Sequence, residues 1–133
     1  MIVVDTNIIG YLFLTSSHSE QAEQALRKDP LWLAPLLWRS EFRNVLALYM
    51  RRILLSLDDA VGMMESAINL MRGGEYEIAS TRVLALANQS GCSAYDCEFV
   101  SLAEDSRVPL VTVDKQILAN FSHIAMSLEE FCR

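Results

Sequence analysis

The chain has 133 residues and a formal net charge of −6, and 52% of its residues are hydrophobic. This composition excludes a disordered protein, and the length allows a single domain over residues 1–133 with a substantial core. The acidic balance excludes broad electrostatic adhesion to nucleic acid but leaves nucleic acid open as a substrate.

The apolar and polar patterns predict strands and helices that alternate along the chain. Strands are expected at residues 1–4, 31–34, 75–78, 110–113 and 124–126. Helices are expected at about residues 7–14, 20–28, 36–52, 57–71, 80–89, 93–106 and 115–120. Short, continuously apolar strands that alternate with helices are typical of a parallel sheet with both faces covered.

Two aspartates directly follow two of the predicted strands. Asp5 ends the apolar run at residues 2–4, and Asp114 ends the run at residues 108–113. Ligands of parallel sheets bind beyond the carboxyl ends of the strands, so both carboxylates are candidates for one site. Taken alone, each aspartate is better explained as the N-cap of the helix that follows it.

Asp96 supports two interpretations. Helical spacing places it on the same side as Phe99, Val100 and Ala103, which is the expected core side. The segment from Ser93 to Asp96 is also a capping box, in which an acid stands at the third helical position. The sequence favours neither a functional nor a capping role for this carboxylate.

Glu41 is the acid that is hardest to explain as a structural residue. It shares a helix face with Trp38, Val45 and Leu48. A carboxylate among apolar side chains costs desolvation free energy unless it is paired or binds a metal. A hydrogen bond from Asn44, one turn further on, would help to satisfy the Glu41 carboxylate. The alternative to a functional role for Glu41 is an ion pair with a buried arginine.

Four carboxylates that converge on one pocket repel one another unless a cation neutralises them. Carboxylate oxygens and water suit hard cations such as Mg²⁺ and Mn²⁺. We therefore predict a divalent metal site that contains Asp5, Glu41, Asp96 and Asp114. Two arginines on the Glu41 helix, Arg39 and Arg43, either form a solvated helix face or position the phosphates of a nucleic acid.

Three cysteines and the N-terminal segment indicate the compartment. The odd number of cysteines (Cys92, Cys97 and Cys132) and their spacing predict free thiols in a reducing environment. Asp5 and Asn7 interrupt the apolar N-terminus, so it does not match a secretion signal, and no stretch is long enough to span a membrane. We expect a cytoplasmic protein without a membrane partner.

Four segments together resemble the PIN-domain family, most closely its VapC-type toxins from prokaryotic toxin–antitoxin pairs. They are VVDTN at residues 3–7, SEFRNVL at 40–46, SAYD at 93–96 and LVTVD at 110–114. Each motif alone is weak, whereas the ordered set is specific and extends over nearly the whole chain. The resemblance implies a three-layer α/β/α sandwich with a mostly parallel sheet and a Mg²⁺- or Mn²⁺-dependent endoribonuclease.

The resemblance also implies partners and residue roles. It implies a homodimer, an RNA substrate and a cognate antitoxin whose tail occupies the acidic groove. The family's catalytic, metal-binding acids correspond to Asp5, Glu41, Asp96 and Asp114, and its supporting polar positions to Thr6, Asn7 and Thr112.

Two other classes of protein remain open. A non-catalytic PIN-like module would use the same fold for binding or regulation. An aspartate-based phosphotransfer domain also places an aspartate at the carboxyl end of a strand. A phosphatase of that kind has a second aspartate two positions later, where this chain has Asn7.

Overall fold

A five-stranded sheet organises the computed structural model, which describes all residues from 1 to 133. Its strands are β1 (Ile2–Val4), β2 (Trp32–Pro35), β3 (Glu75–Tyr76), β4 (Leu110–Thr112) and β5 (Ala125–Ser127). They lie in the order β3-β2-β1-β4-β5, and every neighbouring pair is parallel. Parallel neighbours require crossover connections, and helices supply them here.

Eight helices accompany the strands, and the predicted α/β/α class with a parallel central sheet is confirmed. They are α1 (Thr6–Phe13), α2 (Ser19–Lys28), α3 (Leu37–Arg51), α4 (Leu57–Met71), α5 (Ser80–Ser90), α6 (Ala94–Ser106), α7 (Lys115–Asn120) and α8 (Leu128–Cys132). The seven predicted helices are all present, and no end differs from the prediction by more than one residue. None of the helices is long and apolar enough to cross a membrane.

The short helix α8 was missed by the sequence analysis. The Ser127 hydroxyl accepts a hydrogen bond of 3.1 Å from the backbone N–H of Glu130 and caps its first turn. Lys28 in α2 donates to the Phe131 carbonyl at 2.6 Å and lies over the Phe131 ring. The cap was readable from the sequence, but a helix of five residues depends on tertiary packing for its stability.

The strand order reverses direction between β1 and β4, which makes this point the topological switch of the sheet. Val3 pairs with Leu110, and Val4 pairs with Val111. The carboxyl ends of the two central strands are therefore adjacent, and the backbone N–H of Asp5 donates to the Val111 carbonyl at 3.3 Å. Such switch points are where open α/β sheets bind ligands.

The core contains the strands and one face of α3, and this face is not the one expected for Leu48. The strand residues of β1, β2 and β4 are buried, as expected for strands with helices on both faces. Trp38, Phe42 and Leu46 form the buried stripe of α3 at a spacing of four residues. Leu48 was expected on the buried face with Glu41, but it is 41% exposed because both residues lie outside that stripe.

Candidate metal centre

A cavity of about 260 Å³ opens at the carboxyl ends of β1 and β4, and four acids from four different parts of the chain line it. They are Asp5, Glu41, Asp96 and Asp114, joined by the polar side chains of Thr6, Asn7 and Asn44. No lysine, arginine or histidine is among the lining residues. The negative charge of the pocket therefore has no cationic side chain to balance it at the lining.

Asp5 and Asp114 cap helices and line the pocket at the same time. Asp5 Oδ1 accepts from the backbone N–H of Ile8 at 3.2 Å, and Asp114 Oδ1 accepts from the N–H of Ile117 at 2.9 Å. The capping interpretation is confirmed for both residues. Each cap uses one carboxylate oxygen and fixes the direction of the side chain. The second oxygen of each group is left for other partners.

Thr112 connects these two aspartates at the end of β4. Its hydroxyl donates to Asp5 Oδ2 and accepts from the backbone N–H of Asp114 at 3.0 Å. Thr112 is fully buried, and Asp5 is only 7% exposed. A single hydroxyl therefore fixes the Asp5 carboxylate and the backbone that carries Asp114.

Glu41 is held by Thr6 and not by the residue expected from the sequence. Thr6 Oγ1 donates to Glu41 Oε1 at 2.6 Å, which links the first turn of α1 to α3. The expected hydrogen bond from Asn44 is wrong, because the Asn44 amide is exposed at the pocket and makes no hydrogen bond to the protein. An ion pair between Glu41 and a buried arginine is also absent.

Asp96 reaches the pocket from the first turn of α6. The Ser93 hydroxyl caps this helix by accepting from the Asp96 backbone N–H at 3.1 Å. Phe99 and Val100 are buried behind it, as the helical spacing predicted. The cap uses the backbone of Asp96, so its carboxylate is not needed for that hydrogen bond.

Burial raises the pKa of three of the pocket acids. Burial is the main cause for Asp5, whose pKa rises from 3.8 to about 6, and the Asp114 charge adds to the rise. Burial also raises the pKa of Glu41, with a contribution from the Asp96 charge. The pKa of Asp96 is raised by burial and then by the charge of Asp114. The ionised forms are disfavoured as long as no cation balances them.

The donor set of the pocket fits a hard divalent cation. The carboxylates, hydroxyls and amides offer oxygen atoms, which Mg²⁺ and Mn²⁺ prefer. No three acidic, histidine or cysteine side chains are close enough to hold one ion together as they stand. Mg²⁺ commonly binds through one or two carboxylates and keeps several water ligands, for which this cavity has room.

We expect Asp5→Asn to stabilise the metal-free protein at about pH 7.5 and to have little effect at about pH 4. The folded-state pKa of Asp5 is about 6, above the unfolded value of 3.8. The folded state therefore holds a proton that the unfolded state releases between these values, and stability falls as the pH rises through this window. Asparagine removes the buried charge and keeps the cap through its amide oxygen but takes one acceptor from Thr112, for a net gain of about 1–3 kcal/mol at neutral pH.

Urea unfolding in EDTA at both pH values measures this difference. Asp105→Asn, at an exposed position of α6, is the control for removal of one negative charge. An equal gain at both pH values would show that burial of the Asp5 charge is not the cause.

Arg39 and Arg43 do not line the acidic pocket. The Arg39 guanidinium donates twice to the Glu75 carboxylate, both times at 2.6 Å, and Trp38 Nε1 donates to the same group at 2.8 Å. Arg39 thus holds α3 to the edge strand β3. Arg43 is exposed, makes no ion pair and lies beside an apolar groove between α3 and α4. A contact between either arginine and RNA stays a prediction.

One further acid near the site was missed. Glu98 does not line the pocket, but its pKa is raised by burial and then by the charge of Glu41. Glu98 stands two positions after Asp96 and therefore on another side of α6. Helical spacing gave no reason to group these two acids.

The fold and the pocket define a parallel α/β/α protein with a carboxylate site at the topological switch. Residues 2–125 match the model of the PIN domain. The chain is 32% identical over 123 residues to Ribonuclease VapC3 of Pyrobaculum aerophilum, an alignment that covers 90% of this chain and 94% of the relative. The chain therefore belongs to the PIN-domain family, as the four sequence motifs indicated.

Solved structures share the fold at low sequence identity. PAE2754 from Pyrobaculum aerophilum superimposes with a TM-score of 0.77 at 20% identity, covering 98% of this chain and 85% of that one. A toxin-antitoxin complex from Klebsiella pneumoniae gives 0.70 at 19% identity, covering 96% and 98%. FitAcB from Neisseria gonorrhoeae gives 0.73 at 18% identity, covering 97% and 99%.

Proposed function

We propose that this protein is a metal-dependent endoribonuclease that acts as the toxin of a toxin–antitoxin module. One observation carries the proposal: in a PIN-domain chain, the four carboxylates meet around one pocket that has no balancing cationic side chain. Its relative is named a ribonuclease, and one structure with the same fold is a toxin-antitoxin complex. These names support the assignment of substrate class and module.

Asp5, Glu41, Asp96 and Asp114 would hold Mg²⁺ or Mn²⁺ in this proposal. The ion would neutralise phosphate charge and acidify the attacking water. Thr112 and Thr6 fix the Asp5 and Glu41 carboxylates, so little side-chain freedom is left to lose on binding. Without a cation, the same pocket repels RNA phosphates.

An exposed apolar surface supports a protein partner. It lies around the turn between α3 and α4 and consists of Leu48, Ile53, Leu54, Leu57 and Val61. Exposed apolar surface of this kind is common at protein–protein contacts. We propose a cognate antitoxin and a second copy of the chain as partners, in the cytoplasm, where the free thiols stay reduced.

Cleavage of a mixed pool of structured and single-stranded RNAs tests the proposed function. The wild type is assayed with Mg²⁺, Mn²⁺ or EDTA, in parallel with Asp5→Asn. We expect cutting that requires the metal and the Asp5 carboxylate, with 5′-phosphate and 3′-hydroxyl ends, since water and not the 2′-hydroxyl attacks. Metal binding without cleavage of any RNA would favour the non-catalytic module.

We expect added Mn²⁺ to raise the melting temperature of the wild type, because an ion that binds only the folded state stabilises it. At about one hundred times the dissociation constant, the gain is about 2.7 kcal/mol. The gain should shrink strongly in Asp96→Asn and persist in Asp105→Asn, which alters an exposed acid outside the pocket. Thermal unfolding with Mn²⁺ or EDTA measures this, and an equal gain in both variants would place the ion elsewhere.

A further inference from the structure

A second, smaller cavity of about 110 Å³ adjoins the acidic pocket between α1 and α3. Thr6, Asn7 and Val45 line both cavities, so the two spaces are adjacent. The walls of the smaller cavity include two tyrosines, Tyr11 and Tyr49, and no charged residue lines it. We call this space the aromatic cavity.

The two helices lead from the acids to the tyrosines in the same direction. Both α1 and α3 begin beyond the carboxyl ends of parallel strands, with Asp5 and Glu41 near their starts. Tyr11 follows Asp5 by six residues and Tyr49 follows Glu41 by eight, which is about 9 and 12 Å at 1.5 Å per residue. The tyrosines therefore lie further along the same two helices that carry the acids.

Both tyrosines are partly buried, and one is fixed in orientation. The Tyr11 ring stacks against His18, with centroids 4.7 Å apart and planes 26° apart. Neither tyrosine hydroxyl makes a hydrogen bond within the protein, whereas the Asn7 amide is exposed at the shared edge. The aromatic cavity therefore offers aromatic side chains together with hydroxyl and amide groups that make no hydrogen bond within the protein.

We propose that the aromatic cavity binds an unpaired nucleobase of the substrate RNA while a neighbouring phosphate lies at the acidic pocket. This inference rests on the proposed function. Bases of single-stranded RNA stack on aromatic side chains and hydrogen-bond through edges that a duplex would hide.

The charge of the protein favours a base over a phosphate as the source of affinity. The chain carries a net charge of −6, and four acids line the neighbouring pocket. Contacts to phosphate gain affinity from cationic side chains, and neither cavity has one in its lining. Stacking of a base on a tyrosine needs no cationic side chain, and its contribution to affinity depends less on salt concentration than that of phosphate contacts.

The test compares two probes that differ only in their bases. One is a fluorescent oligoadenylate, and the other is an abasic ribose–phosphate chain of the same length and charge. Binding is measured with Ca²⁺, a hard cation that also takes oxygen ligands, in the protein with intact Asp96, with and without Tyr49→Leu, and electrophoresis checks that the probes stay uncut. Tyr76→Leu is the matched control, because Tyr76 is 43% exposed on β3 and lines neither cavity.

Oligoadenylate should bind about tenfold or more tightly than the abasic chain, as expected for stacking of a base. Tyr49→Leu should remove most of this difference without changing the affinity for the abasic chain or the salt slope. Tyr49→Phe should keep the difference, and Tyr11→Leu, on the opposite wall, should reproduce the loss even if Tyr49→Leu does not fold.

An equal affinity for the two probes in the wild-type cavity would overturn the inference. So would an equal loss for both probes in Tyr49→Leu, or a loss confined to binding of the antitoxin. Cleavage of RNA assayed with Mg²⁺ or Mn²⁺ separates this result from the proposed function. If the protein cuts RNA and Tyr49→Leu leaves KM unchanged, only the proposed base site is rejected. If the protein binds oligoadenylate through Tyr49 but cuts no RNA, the nuclease assignment is rejected.

Discussion

Asp96→Asn lowers RNA cleavage by at least about a hundredfold and leaves the fold intact, if the pocket acids bind the catalytic ion. Loss of a group that only supports a metal ligand already costs about 10–100-fold, so loss of a ligand should cost more. The fold should persist because the Ser93 cap binds the backbone N–H of Asp96, which asparagine retains. Stability of the metal-free variant should rise slightly, since a partly buried charge is removed.

Two control variants in or next to α6 separate loss of the Asp96 carboxylate from loss of charge and from loss of the helix cap. Asp105→Asn removes an exposed charge from α6 outside the pocket and should leave cleavage unchanged. Ser93→Ala removes the cap but keeps the carboxylate, and should cost about 1 kcal/mol of stability with cleavage largely retained. The measurements are initial cleavage rates and urea unfolding curves. Equal cleavage rates for Asp96→Asn and Asp105→Asn would remove Asp96 from the catalytic set.

Gly74→Ala destabilises the protein by about 3 kcal/mol or more, the largest effect on stability that we expect from a single methyl group. A Cβ atom at Gly74 would lie 2.1 Å from the carbonyl oxygen of Trp32. The Gly74 backbone cannot move away freely, because its N–H donates to the Met71 carbonyl and its carbonyl accepts from Ala34, both at 2.9 Å. The strands β2 and β3 must separate to admit the methyl group.

Separation of β3 would also disturb the helix that carries Glu41. Glu75 in β3 receives hydrogen bonds from Arg39 and Trp38 of α3, and Trp38 is fully buried. Gly62→Ala is the control, because a Cβ atom there meets nothing within 4 Å. That substitution should stabilise α4 by about 0.5–1 kcal/mol. Thermal unfolding measures the melting temperatures of Gly74→Ala and Gly62→Ala. Similar melting temperatures for the two variants would contradict the steric argument.

The sequence determined the class of fold because burial on both faces leaves a readable pattern. The apolar runs of β1 and β4 and the helical spacing of α6 are consequences of local composition, and their positions are confirmed. The four motifs were sufficient to identify the PIN-domain family. The five-residue helix α8 was not predicted from the sequence, because a helix this short depends on tertiary packing. The ends of several elements were misplaced by one residue or more for the same reason.

The sequence also selected the four acids, but it could not show how they are held. Asp5 and Asp114 were readable as caps, and the structure shows that a cap uses one oxygen and leaves the carboxylate at the pocket. The partner of Glu41 is Thr6, 35 positions away, and not Asn44 on the same helix. Helical spacing suggested Asn44 as the hydrogen-bond partner of Glu41, but the packing of α1 against α3 brings Thr6 to Glu41 instead.

Tertiary structure alone placed groups that lie far apart in the chain. The parallel order of β1 and β4 brings Thr112 to Asp5 across 107 positions. The pairing of Arg39 with Glu75 joins α3 to β3 across 36 positions. The aromatic cavity between Tyr11 and Tyr49 exists only because two helices pack side by side. Residue type and spacing record which side chains are buried, but long-range packing determines what each buried side chain meets.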